Sequence, residues 1–327
     1  MTFDEARLHA WIATWARPAP LVGSSGHDAA VLAPTSGRPV CCTDQTVLGV
    51  HVEVDVAPRR FGAKAVARTI SDLAATAARP HATLLALRAP QESSETWLRA
   101  VLDGARRRAE ALGAPAVAGD LTCAPGPAQL SVTALGTLPG RRTPPGRDRA
   151  RAGQVLLLTG PCGGSRARRH LVIEPRLAAG EALWRAGATA LMDVSDGLGL
   201  DADRLARASG VRLVLEQVPI HRDARAAART SGREPLDHAL EDGEDHELLA
   251  TLPVAAARRL LRDGLPGAPA AAVVGRVEGA RRAQVGLWLD LAAPEECSDE
   301  RARAPVRWRG RGWIHGASDA DRSRPNG

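Results

Sequence analysis

Between Pro139 and Gly153 the chain runs PGRRTPPGRDRARAG, a stretch from which Pro, Gly and Arg exclude apolar residues. Neither helical nor strand periodicity survives there, because Pro and Gly punctuate regular structure rather than continue it. The 327 residues are therefore expected to fold as two units. The expected limits are an N-terminal domain over 1–138, a linker over 139–153, a C-terminal α/β domain over 154–317 and a disordered polar tail over 318–327. Either half is long enough to bury its own core.

In the first half, DAAVLAP (28–34) and VCCTDQTVLGV (40–50) suit strands, and Ser36-Gly37-Arg38-Pro39 suits a turn between them, so a β-hairpin is expected. Ala63, Val66, Ala67, Ile70, Leu73, Ala74 and Ala77 recur at helical spacing over 62–78, with Pro80 as the stop. A helix over 94–112, a short strand over 116–119 and an alternating strand over 128–138 complete an α+β half. The second half reads as strand 155–159, a Gly-rich turn, helices to about 186, strand 188–194, helix 200–209 closed by Gly210, strand 211–216, strand 247–252 and helix 254–263.

Charge and composition exclude several function classes. The formal charge is +6, yet Asp and Glu are interspersed among the basic residues, aromatics are 3% and Tyr is absent, so a solvated surface is expected rather than a nucleic-acid patch. Lys64 is the one lysine among 43 basic residues and is expected on a helix surface. Cys41, Cys42, Cys123, Cys162 and Cys297 show no CxxC spacing, which fits a reducing cytoplasm and neither a zinc site nor a disulfide framework. MTFDEARLHAWIATWARP suits an amphipathic helix rather than a leader, and no apolar run approaches the ~20 residues of a membrane helix.

Chemistry concentrates in aspartates. Asp28 and Asp44 lie almost symmetrically about the expected turn, so antiparallel pairing would bring two carboxylates together, either around a divalent cation with Thr43 or as a polar strand rim. Asp72 follows Arg68 by one helical turn, which suits an exposed ion pair unless that face points into a cleft. In AGDLT, Asp120 follows a short strand beside Gly119. In MDVSDGL, a strand ends on Asp193 and turns through Ser195 and Asp196 into a helix, where carboxylates can hold Mg²⁺ while Ser195 and the free backbone N–H groups of that helix can receive phosphate. Ser195 or Asp196 could equally cap that helix. GPCGGS (160–165) lacks the Lys-Ser/Thr ending of a phosphate loop and reads as a turn. EDGEDHE (241–247) reads as a solvated acidic loop. Repeated strand-end aspartates point to Mg²⁺, a polyphosphate and phosphoryl transfer.

Seven collinear segments carry a family resemblance: GHDAAVL (26–32), CTDQTVLGVH (42–51), GAKAVARTISDLAA (62–75), AGDLT (118–122), MDVSDGL (192–198), DGEDHEL (242–248) and GWIH (312–315). They resemble the thiamine-monophosphate kinase family of the aminoimidazole-ribonucleotide-synthetase-like superfamily. The resemblance implies a two-domain synthetase-like fold whose N-terminal domain forms a β-barrel with a dimer partner. It implies ATP-dependent phosphorylation of thiamine monophosphate to thiamine diphosphate, by direct in-line transfer with several Mg²⁺ ions, in a cytoplasmic homodimer without nucleic-acid or membrane partners. The metal ligands it implies are Asp28, Thr43, Asp44, Asp72, Asp120, Asp193 and Asp196, with Cys42 beside them in place of a usual Ser. Gly119, Asp120, Arg147 and Ser195 would touch ATP, and His51, Glu244 and Trp313 the thiamine phosphate. No side chain acts as acid or base; Arg147 and the metals would offset charge. The family pattern is left at His27, Cys42, Thr69, Ala118 and Glu241-Asp242, which motivates an alternative, a non-catalytic or divergent ATP-binding paralogue acting on another acceptor.

Overall fold

The computed structural model describes residues 5–22, 29–291, 305–310 and 312. His27, Asp28, Trp313 and the expected tail lie outside the described residues. The chain divides into two compact units, one comprising 1–73, 78–142 and 171–175, the other 74–77, 143–170 and 176–327.

The first unit is built on a four-stranded sheet in the order β3-β6-β4-β5. β6 (Gln129–Leu138) lies antiparallel to both β3 (Arg38–Val47) and β4 (Arg79–Ala89), and β5 (Ala116–Cys123) joins β4 in parallel. A parallel neighbour needs a crossover, which α3 (Glu95–Ala111) supplies. Its N-terminus is set by Ser94, whose side chain accepts the Trp97 N–H at 3.1 Å. Strand alternation sorts β6 into buried Leu130, Val132 and Ala134 and half-buried Ser131 and Thr133.

The expected hairpin does not form. β2 (Val31–Leu32) pairs with β1 (Leu21–Val22), which follows α1 (Glu5–Ile12). β3 pairs instead with β6, in register from Arg38 opposite Leu138 to Val47 opposite Gln129. β6 runs alongside β3 for its whole length and so pairs the backbone groups along one edge of it, which the short 28–34 segment cannot do.

α2 (Pro58–Ala75) is buried almost all round rather than along one stripe: Phe61, Lys64, Val66, Thr69, Ile70, Ser71 and Leu73 are all inaccessible. It crosses α3 at glycines, since a Cβ on Gly62 would stand 2.0 Å from the Val101 carbonyl oxygen and one on Gly104 2.1 Å from that of Arg59. Pro80 is not the stop. The helix closes through Ala77, at φ +58°, and the Ala78 N–H bonds the Leu73 carbonyl at 2.8 Å. Pro80 itself lies within β4 at a register shift, where a missing N–H is tolerated.

The second unit carries a seven-stranded sheet in the order β13-β12-β9-β11-β7-β10-β8. In chain order its elements are β7 (Gln154–Leu158), α4 (Leu177–Ala186), β8 (Ala190–Asp193), α5 (Leu198–Ser209), β9 (Val211–Leu215), α6 (Arg222–Ser231), α7 (Pro235–Glu241), β10 (Leu248–Pro253), α8 (Val254–Asp263), β11 (Ala272–Gly279), β12 (Gly286–Leu289) and β13 (Val306–Arg307). Only β12 and β9 run parallel. Leu156 and Leu158 of β7 enter one core with Met192, Leu205 and Leu213, whereas Leu157 enters another with Leu183, Leu191 and Leu252. A strand covered on both faces reads as an unbroken apolar run, which is why VLLL shows no alternation. Among the described residues no helix is long and apolar enough to cross a membrane.

Candidate active site

In the first unit, the two-residue period of β3 turns Cys42 and Asp44 toward α2. The Cys42 thiol donates to the Thr69 carbonyl at 3.3 Å, and Arg68 Nε lies 3.7 Å from Asp44 Oδ2. Arg68 is 13% exposed, so the expected solvent-exposed pairing on that helix face is replaced by a covered one. Burial, followed by the charges of Asp72 and Asp44, pushes the Cys42 thiol up to about 12. The structure thus brings Asp44 and Asp72 to bear on one thiol that keeps its proton.

Thr43 and Asp120 lie on the opposite sheet face. Gly119 and Asp120 sit within β5, which continues to Cys123, rather than just beyond a strand end. One register row runs from Gln45 through Ser131 and Ala86 to Asp120, and with Arg88, Thr122 and Gln129 these residues line a polar recess. Thr43 Oγ1 donates to the Val132 carbonyl at 3.2 Å. Asp120 and Asp44 therefore project from different faces of the sheet.

His51 is 9% exposed on the turn after β3, and its Nδ1 accepts the Val47 N–H at 3.0 Å. Lys64 is not on a helix surface. It is fully buried on α2, and its ammonium donates to the His51 carbonyl.

In the second unit, β8 ends on buried Asp193 and the chain turns into α5. In this turn the N–H groups of Ser195 and Asp196 are taken by Asp201 Oδ2 at 2.9 and 2.8 Å. Asp201 lies in the first turn of α5, and burial, then the Asp196 charge, raises its pKa to about 7. Capping falls to neither Ser195 nor Asp196, because the N-cap is Gly197 at φ +115°. Arg204 bonds both Asp196 and Asp201.

The acidic segment is not solvated. Glu241 ends α7 and pairs with Arg233 at 2.7 Å, while Asp242 pairs with His238 at 2.8 Å. Asp245 is buried and accepts the Gly163 N–H, with Arg169 at 2.8 Å. Gly164 N–H goes to Asp242 and Ser165 Oγ to the Glu244 carbonyl. The Gly-rich segment is a turn, as its sequence suggests, and its N–H groups meet the chain's own carboxylates. Glu244 N–H in turn bonds the Ser195 carbonyl at 2.7 Å, which ties Glu244 to the Asp193 turn. His246, also buried, lies 3.1 Å from Asp193 and 3.4 Å from Glu244. Burial opposes its charge, but the bonds to Asp193 and Glu244 outweigh this and raise its pKa to about 9.

Arg147 is exposed, and its carbonyl accepts from Ser209 Oγ at the C-terminal end of α5. Ser195 stands at the other end, roughly 17 Å along the helix axis, so the structure does not bring these two together. Sequence reasoning missed Asp201, Arg204, Arg169 and His246. Only His246 left a signal, being enclosed in the DGEDHEL segment.

Residues 26–138 match the family model described as AIR synthase related protein, N-terminal domain. The thiamine-monophosphate kinase of Mycobacterium tuberculosis is 38% identical, over 85% of this chain and 89% of that protein. The crystal structure of thiamine-monophosphate kinase from Stenotrophomonas maltophilia K279a superposes with a TM-score of 0.71 at 30% identity, covering 89% of this chain and 98% of that one. AaThiL complexed with AMPPCP and TMP gives a TM-score of 0.69 at 26% identity, covering 81% and 88%. With a relative this similar spanned over most of its length, the chain belongs to the thiamine-monophosphate kinase family and is a kinase.

Proposed function

We propose that this chain transfers the γ-phosphoryl group of ATP to thiamine monophosphate, giving thiamine diphosphate and ADP. The observation that carries this is a match covering 89% of a thiamine-monophosphate kinase, through both units rather than one. A phosphate oxygen of thiamine monophosphate attacks the γ-phosphorus in line while the bond to the bridging oxygen of ADP breaks. No covalent enzyme intermediate is needed.

Asp44 and Asp72 supply hard oxygen donors beside a thiol that remains neutral, a chemistry that fits Mg²⁺. Among the described residues no three His, Cys, Asp or Glu groups converge as a metal site, so ligands beyond this pair come from Asp28, from the Thr43 carbonyl or from the nucleotide. In this reading Cys42 backs the pair as a thiol, and Asp120, Asp193 and Asp196 hold further ions. Asp193 would do so with His246 orienting its carboxylate, and Asp196 with Arg204 orienting its own. Bound Mg²⁺ offsets charge on the transferring phosphoryl group. Gly119, Asp120 and Ser195 hold ATP, Arg147 reaches it separately, and His51, Glu244 and Trp313 hold the acceptor. The enzyme works as a cytoplasmic homodimer, the open four-stranded sheet supplying half of a barrel between two copies and the 1–138 segment serving ATP, metal and dimer contacts.

Arg233 pairs with both substituted acids, Glu241 at 2.7 Å and Asp242 at 3.4 Å, and so offsets part of the charge they would present to a phosphate. The test is incubation of the purified chain with ATP, Mg²⁺ and thiamine monophosphate, with chromatography of the thiamine species. Thiamine diphosphate that disappears with EDTA supports the proposal; its absence from folded protein that binds Mg-ATP overturns it.

A further inference from the structure

Lys64 is the chain's one lysine among 43 basic residues, and its side chain is wholly buried. At this site a compact ammonium on a flexible stem is used where a planar guanidinium would bring five donors to satisfy. One acceptor of its ammonium is the carbonyl of His51. That residue closes a tight turn: the Val50 and His51 N–H groups return to the Val47 carbonyl at 3.2 and 2.9 Å, and the Gly49 N–H bonds the Val52 carbonyl at 2.7 Å. Gly49 sits at φ +82°, a conformation that suits glycine. The ring completes the closure, its Nδ1 accepting the Val47 N–H at 3.0 Å.

An imidazole nitrogen that accepts a hydrogen bond carries no proton, so the neutral ring holds its hydrogen on Nε2. Protonating Nδ1 would set one donor against another. We propose that Lys64 is a positioning residue: by holding the His51 carbonyl it fixes the 47–52 turn in which the His51 ring is held as its Nε2–H tautomer for contact with the acceptor substrate. The substrate half of this inference rests on the proposed kinase reaction; the tautomer half does not.

The experiment pairs spectroscopy with kinetics on the full-length chain. Long-range ¹H–¹⁵N correlation of the imidazole nitrogens, with His51 assigned through its loss in His51→Asn, is expected to show an Nε2-protonated neutral ring at neutral pH. Lys64→Met, which keeps the stem and removes the charge, is expected to erode that single tautomer. It is also expected to raise KM for thiamine monophosphate about tenfold, with kcat changed less than about threefold and KM for ATP unmoved. Lys64→Arg restores charge but not the compact head, and is expected to rescue stability more than KM. An Nδ1-protonated or charged His51 ring in the wild type overturns the proposal, as does an unchanged acceptor KM in folded Lys64→Met. So does a loss that moves kcat and both KM values together with the melting temperature, as mere structural damage would. If Lys64→Met fails to fold, the wild-type spectrum and the Lys64→Arg kinetics decide. A wild type that makes no thiamine diphosphate but shows the expected tautomer defeats the proposed reaction and not the preset ring.

Discussion

His246 Nδ1 stands 3.1 Å from Asp193 Oδ2 with both side chains buried, joining the acidic segment before β10 to the end of β8. The same ring meets Glu244 at 3.4 Å, and Glu244 and His246 both hold positive φ, +58° and +52°. Such backbone costs of order 1–3 kcal/mol per residue and persists where the surroundings over-determine it. In the proposed reaction these bonds set a metal ligand and a substrate contact in one frame. His246→Ala is therefore expected to lower turnover more than His246→Gln, which retains an amide able to bond one of the two carboxylates. Steady-state rates and melting curves of both variants check this.

Asp44→Asn and Asp72→Asn are each expected to lower turnover by roughly 100-fold, the scale on which charge-stabilising groups act in such sites. Asp44 is 27% exposed, so its variant should stay folded. Rates and circular dichroism on the same preparations separate lost chemistry from lost fold; a folded Asp44→Asn with full turnover contradicts the assignment.

Asp201→Ala leaves the Ser195 and Asp196 N–H groups without the carboxylate oxygen they share. A cost of about 1–3 kcal/mol is expected for such unmade bonds. Asp201→Asn keeps one acceptor oxygen in place and should cost less. Denaturant unfolding of the two variants measures the order.

Burial lifts the Asp245 carboxyl to about 6 from 3.8, against the opposing pull of Arg169. Its folded pKa lies above its unfolded value, so the fold binds that proton more tightly, and the stabilisation gained as pH falls through about 6 is lost as pH rises through it. Relative to Asp245→Asn, the wild type is expected to gain stability between pH 7 and pH 5. Melting curves of both proteins across that range give the difference, and a difference that moves the other way contradicts the burial account.

Gly104→Ala is expected to destabilise by about 1–3 kcal/mol, as overpacking does. Its Cβ would meet the Arg59 backbone at 2.1 Å, and backbone has no rotamer with which to give way. Chemical denaturation reads the loss.

Elements with strong local signals were legible in the chain. The 94–112 helix appears as α3 behind its Ser94 cap, the 254–263 helix as α8, and Gly210 closes α5 in the left-handed conformation at φ +66°. The 28–34 hairpin was not, because Val31 and Leu32 pair with a segment no turn chemistry announces, and β3 prefers a partner more than eighty residues away. α6 escaped because the stripe of RDARAAARTS is made of alanines alone, of which only Ala224 is buried. The candidate site followed the same division. Its aspartates were visible as strand-end acids, whereas their states were set at long range: Gly163 meets Asp245 across 82 residues and Asp193 meets His246 across 53. Lys64 looked like a surface lysine because helical periodicity shows which face is apolar and not how many faces are covered.

The most direct test of the central claim is a single-turnover reaction of stoichiometric chain with γ-³²P-labelled ATP, Mg²⁺ and thiamine monophosphate. The expected result is label in thiamine diphosphate, matched by an equal amount of ADP, with none on the protein at any time. Label that stays in ATP or passes to water, with no thiamine diphosphate formed by folded chain, would contradict the kinase assignment, and a labelled protein intermediate would contradict direct transfer.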